Sequence, residues 1–149
     1  MNTEAFTPAP ATGVEIVEAA RSFLGVRFKH AGVTRDGICC SGLVMAVGKM
    51  RGQVPEWVRL PAHSSMRPSP RLFLTMKRWG REVPLGEVRP GDVLLMSHAG
   101  DDVRHCAIRT DVGLLHIFPA ASIPRVAEHS LDDEWRRRIK FALRYGGVA

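Results

Sequence analysis

Apolar residues recur at helical spacing in two stretches in the first third of the chain. Val14, Val17 and Phe23 follow Thr12 and Glu15, a pair spaced as a capping box, so a first helix is predicted from Gly13 to Leu24 with Gly25 as its stop. Leu43, Val44, Val47 and Met50 repeat the pattern after Cys40 and predict a second helix, ended by Gly52. Gly42 and Gly48 weaken a surface helix but suit one pressed closely on a sheet. Between the helices, Val26 to Gly37 is irregular, and Asp36-Gly37 marks a tight turn.

The pattern then changes. Pro55, Pro61 and Pro68 make residues 53–68 a loop, and Ser69-Pro70 starts a third helix with Leu72, Phe73, Met76 and Trp79 on one side and Gly80 after its end. Residues 53–80 therefore read as an insertion into the core. Arg89-Pro-Gly-Asp92 is a turn into a strand from Val93 to Met96. Further strands are predicted at Arg104 to Arg109, Leu114 to Phe118, Ile123 to Ala127 and Phe141 to Tyr145. Ser130 with Asp133 caps a short helix carrying Leu131, Trp135 and Ile139. Residues 1–11, rich in Pro, Ala and Thr, form a loose lead-in. Helices first and an antiparallel meander afterwards make an α+β fold of one domain over 1–149, with helices packed on one side of the sheet.

Composition narrows the function. At 149 residues, 45% hydrophobic and 24% charged, the chain is sized and balanced for one globular domain. No apolar run reaches the ~18 residues a membrane span needs. Met1 to Pro10 lacks the basic start and apolar stretch of a signal peptide, so synthesis in the cytoplasm is expected. The net charge of +6 suits an anionic partner such as nucleic acid, a membrane face or a cell wall. No basic run is interleaved with aromatics, which argues against a nucleic-acid module. Cys39, Cys40 and Cys106 make an odd count without CxxC spacing, leaving buried apolar cysteines or reactive thiols. The six histidines show no HxH, HxxxH or HExxH spacing, so a metal site is not expected.

A thiol nucleophile needs a means of ionising, a base within reach and a site for a developing oxyanion. A helix N-terminus serves the first and third needs through its unpaired N–H groups and dipole, and Cys40 stands at one. His105 and His116 lie in consecutive strands. With Arg109 paired to Val112 across a Thr110-Asp111 loop, His105 is directly opposite His116, at about 4.5–5.5 Å between Cβ atoms. Imidazoles that close hydrogen-bond, and the bond fixes a tautomer. Taken singly, Cys40 reads more readily as an inert buried cysteine than as a nucleophile, and each histidine more readily as a satisfied sheet residue than as a base. His30, His63, His98 and His129 fall in loops or beside turns and compete for the part of the base.

Taken together, the motifs resemble the NlpC/p60 family of papain-like cell-wall peptidases. The stretch ending Phe23-Leu-Gly-Val-Arg-Phe28 is similar to the family's "LGxxY" segment, and Gly37-Ile-Cys-Cys-Ser-Gly-Leu-Val44 to its "DCSGLV" box. Arg89-Pro-Gly-Asp92 is similar to "kPGD", His105-Cys-Ala-Ile108 to "HvGI", and Leu115-His116 to a later "iH", all in family order. The closest flavour is the phage and prophage tail-associated type. The resemblance implies a papain-like fold with Cys40 as nucleophile, His105 as general base and His116 in the third, orienting role. It implies a murein stem peptide as substrate, cut after a γ-D-glutamyl residue, without a cofactor. Peptidoglycan and phage tail proteins are the implied partners, and the virion tail acting at the cell wall is the implied location. Cys39, Ser41 and Phe28 fall at the substrate side of this motif. Two of them depart from it: Cys39 stands where the family has Asp, and Phe28 where it has Tyr. Cysteine is expected to cap a helix poorly, and Phe28 brings no hydroxyl. An amidase or acyltransferase on the same fold, or an inactive tail structural module, are the alternatives.

Overall fold

Thr12 Oγ1 accepts the Glu15 amide at 3.1 Å while the Glu15 carboxylate accepts the Thr12 amide at 3.0 Å. This closes the capping box at the start of helix α1 (Gly13–Arg21) in the computed structural model, which describes residues 6–59, 70–97, 103–118 and 121–149. Pro61, His63, Pro68, Ser69 and His98 lie outside the described residues, as does the side chain of Leu72. α1 is shorter than its pattern predicts, and the chain turns through residues 22–25 to Gly25, at φ 87°. Ile16, Val17, Ala19 and Ala20 form its buried side, while Val14 is exposed. The lead-in is not loose at its end. The Ala9 amide donates to the Gly52 carbonyl, and the Ala11 amide to that of Gly147.

Two short strands, β1 (Val33–Thr34) and β2 (Gly37–Ile38), pair within the stretch expected to be irregular. Helix α2 (Cys40–Met50) follows directly, and α3 (Pro70–Arg78) lies further on. Gly80, expected only to end α3, opens β3 (Gly80–Val83), an edge strand, so the region read as an insertion reaches into the sheet. The remaining strands are β4 (Val93–Met96), β5 (His105–Arg109), β6 (Leu114–His116), β7 (Ala127–His129) and β8 (Ile139–Tyr145), with α4 (Asp133–Arg138) before the last. The strand expected at 123–127 is displaced toward β7. Asp132, rather than Ser130, caps α4 by accepting the Trp135 amide at 3.0 Å.

The six strands form one antiparallel sheet in the order β3-β8-β4-β5-β6-β7. Alternation sorts their side chains to two faces. Val93, Leu95, Cys106, Ile108, Leu115 and Leu143 pack with Ile16, Ala20, Leu43, Val44 and Val47 of α1 and α2. Leu94, Met96, Ala107, Leu114 and Ala142 face the other way, where Leu131, Trp135 and Ile139 cover them. Tyr145 crosses the first interface, its hydroxyl donating to the Val44 carbonyl at 2.6 Å. No helix among the described residues is long and apolar enough to cross a membrane.

Candidate active site

The site is built where α2 meets the start of β5. The Cys39 amide donates to the Gly32 carbonyl at 3.0 Å, which ties the helix entry to the β1–β2 hairpin. Cys39 is the N-cap, and its sulfur accepts the Gly42 amide at 3.3 Å. The poor cap expected of cysteine is a weak one rather than a missing one: the thiol sulfur accepts at the longer distance of an N–H···S contact where the usual cap is an oxygen. Gly42 leaves no room for a side chain, since a Cβ there would sit 2.0 Å from the Gly32 carbonyl oxygen. The helix start is thus pressed against the hairpin, and this contact aims the first turn.

Cys40 is the first helical residue and is half-buried. Its thiol is held well below the ordinary cysteine range. The largest cause is a hydrogen bond from the Cys106 thiol; burial opposes it, and a hydrogen bond and charge from His105 add to it. The Cys106 thiol is pushed up by the same contact and by burial, so it stays protonated and donates. In the first turn, the Cys40 and Ser41 amides have no carbonyl of their own helix to bond, which suits them to an oxyanion beside the thiol.

His105 opens β5 and is 1% exposed. Its Nε2 lies 2.6 Å from Nδ1 of His116, itself 3% exposed. The register differs from the one expected. Arg109 pairs with Leu114 and Ile108 with Leu115, so the loop has four residues, Thr110 to Gly113. His105 and His116 are diagonal neighbours rather than directly opposite. An offset of two keeps both on one face, and imidazoles reach across a diagonal.

The row continues. His116 Nε2 lies 2.8 Å from Nε2 of His129 on β7, again a diagonal pair because His116 is registered with Ala127. His129 Nδ1 lies 2.9 Å from the Ser130 carbonyl oxygen. Trp135 of α4 stands edge-on to His116, with ring centroids 4.8 Å apart. Burial, aided by His105, His129 and Arg138, pushes the His116 imidazole down to about 2, so it is neutral across the working pH range.

Cys40, His105 and His116 are therefore together. Cys39 and Ser41, expected at the substrate side, are turned inward at 5% and 0% exposure. Their influence on a ligand passes through the helix turn they support, with Ser41 Oγ 3.4 Å from Cys39 Sγ. Phe28 is half-buried against the core beside Ile38. His30 is exposed, while His63 and His98 lie outside the described residues. Sequence reading missed two participants. Cys106 follows the base in the chain, and strand alternation alone turns it toward α2, a signal that was legible. His129 had none, because its place depends on the β6–β7 connection.

No protein-family model matches the chain, and no curated protein matches it. Solved structures do. A NlpC/p60 family protein from Bacillus cereus superposes with TM-score 0.67 at 24% identity, covering 93% of this chain and 41% of its own. The NlpC/p60 domain of the peptidoglycan hydrolase SagA matches with TM-score 0.58 at 19% identity, over 89% of this chain and 98% of that one. A NLP/p60 family protein similar to a lipoprotein, from Staphylococcus aureus, matches with TM-score 0.58 at 21% identity, over 95% and 45%. The chain spans less than half the length of the first and third. The fold is thus that of NlpC/p60 structures.

Proposed function

We propose that this chain is a cysteine peptidase that hydrolyses peptidoglycan stem peptides, with Cys40 as nucleophile, His105 as general base and His116 as the residue that orients the base. The observation that carries the reading is the 2.6 Å contact between His105 Nε2 and His116 Nδ1, on a histidine that also hydrogen-bonds the depressed Cys40 thiol. A buried scaffold cysteine has no need of a lowered pKa or of an oriented imidazole beside it. The peptidoglycan substrate is supported by the fold shared with SagA and by the motif order in the sequence. A phage or prophage tail setting is carried by the sequence resemblance alone.

In the reaction, the Cys40 sulfur attacks the scissile carbonyl carbon. The carbonyl oxygen gains negative charge beside the first-turn amides of α2. His105, carrying the thiol proton, passes it to the leaving nitrogen, and a thioester remains on Cys40. Water then attacks the thioester, His105 takes its proton, and the acid product leaves with the thiol restored. Neutral His116 accepts the Nε2 proton of His105 throughout, so the ring stays in place in both its charge states.

Purified protein incubated with purified peptidoglycan, with Cys40→Ala alongside, tests the reading by mass spectrometry. New muropeptide ends made only by the wild type are expected, and their identity names the bond. No cleavage by either protein across about pH 6–9, where a thiolate–imidazole site operates, would overturn it.

A further inference from the structure

Hydrogen-bond complementarity along the histidine row has a direction, and it is set from outside the three residues named above. A carbonyl oxygen only accepts, so the 2.9 Å contact with Ser130 O requires the proton of His129 on Nδ1. With that single ring proton on Nδ1, His129 offers a lone pair at Nε2. The facing atom, His116 Nε2 at 2.8 Å, must carry the proton. His116 Nδ1 is then an acceptor, and the facing His105 Nε2 at 2.6 Å must be the donor. That leaves Nδ1 of His105 as the basic nitrogen toward Cys40. Any one ring in the other tautomer would set two lone pairs or two N–H groups against each other, and the mismatch is most costly at the buried His105–His116 contact.

We propose that His129 is a positioning residue that sets the tautomers of His116 and His105, so that the Ser130 carbonyl, through three imidazoles, determines which nitrogen of His105 serves Cys40. The inference rests on the cysteine-hydrolase reading for its effect on rate, but the tautomers themselves do not depend on it. His129 touches neither the thiol nor any substrate in this scheme; it acts through His116. The neighbours of the row fit a relay of this kind. Trp135 packs on both His116 and His129, with centroids at 4.8 and 5.5 Å, and holds the two rings in place. The strongly depressed basicity of His116 keeps it from taking a second proton, so the direction is not scrambled when His105 is charged. Among the described residues, Arg21, Asp111, Glu128 and Arg138 are charged groups near this end of the sheet. Arg21 bonds both Asp111 and Glu128, and Arg138 pairs with Glu134.

The test uses full-length protein with ¹⁵N-labelled imidazoles. In the wild type, NMR should find the proton on Nδ1 of His129 and on Nε2 of His116 and His105. His129→Phe removes the acceptor while keeping a ring. The His116 and His105 signals should then broaden or shift toward a mixture of tautomers, and the rate of Cys40 alkylation by iodoacetamide should fall about tenfold, the scale of one lost buried hydrogen bond. His129→Gln, whose amide oxygen can accept from His116, should restore most of the rate. Turnover, if measured on muropeptides, should fall in kcat with KM unchanged. Wild-type tautomers other than these, or unaltered tautomers and alkylation in His129→Phe, would overturn the proposal while leaving the hydrolase reading intact. A Cys40 no more reactive than a free thiol in the wild type would instead remove the hydrolase reading, and the NMR result would still decide the histidine row.

Discussion

The sulfur of Cys39 accepts the Gly42 amide at 3.3 Å, so the residue just before the proposed nucleophile is also the cap of the helix that presents it. Capping and aiming are thereby one structural event. Cys39→Ala deletes the acceptor and should lower stability by about 0.5–1 kcal/mol, the weaker end of the N-cap range because sulfur accepts weakly. Thermal unfolding should show a drop in Tm of a few degrees, about 2–4 °C per kcal/mol at this size. A Tm unchanged within error would mean that the cap contributes nothing.

Gly42 should tolerate substitution less well than Cys39. A Cβ at 2.0 Å from the Gly32 carbonyl oxygen meets backbone, which cannot rotate away. Gly42→Ala must part the α2 N-terminus from the β1–β2 hairpin. The expected cost is about 1–3 kcal/mol, with Cys40 alkylation slowed because the thiol moves from its partners. Urea unfolding and the alkylation rate, measured on the same sample, check both halves.

Cys106 donates to the Cys40 thiolate and is the largest cause of its lowered pKa. Removing the donor with Cys106→Ala raises the Cys40 pKa, so the rise of alkylation rate with pH should move to higher pH. Cys106→Ser, which keeps a donor, should move it less. Identical profiles for all three proteins would show that His105 alone supports the thiolate.

His116 also links the site to stability. Its folded-state pKa of about 2 lies below the unfolded value, so the folded chain binds fewer protons. Its contribution is complete above the unfolded pKa of about 6.5 and is lost as pH falls through the window toward 2, at up to about 1.4 kcal/mol per pH unit. His116→Gln removes this titration. The wild type should lose stability on acidification from pH 6.5 to 4 more steeply than the variant, by denaturant unfolding at each pH.

Asp92 and Arg144 join the turn before β4 to β8 through two contacts of 2.8 Å, and Asp92 also accepts the Arg89 amide. The "PGD"-like turn is therefore a structural clasp in this chain. Asp92→Ala leaves Arg144 buried without its charge partner and should cost about 3–5 kcal/mol. Because Asp92 lies away from the histidine row, Asp92→Ala should lower Tm while the alkylation rate of the folded fraction stays near wild type.

Local rules were enough for part of this protein. The Thr12–Glu15 box, the α2 period from Leu43 to Val47 and the alternation of β4 and β5 are set by neighbours within a few residues, and the structure repeats them. The shared face of His105 and His116 was legible for the same reason, since alternation survives an offset of two and only an odd slip breaks it. The offset itself was not legible. Thr110 closes a four-residue loop by accepting the Val112 and Gly113 amides on its hydroxyl, and no period in the flanking strands reports that choice. Strand β3 was hidden because Gly80 and Arg81 pair with β8, more than sixty residues away. The meeting of Cys40 with Cys106, and of His116 with His129, likewise depends on helix-on-sheet packing and on strand register. Those are long-range contacts, chosen by what buries the core, and only the folded chain decides them.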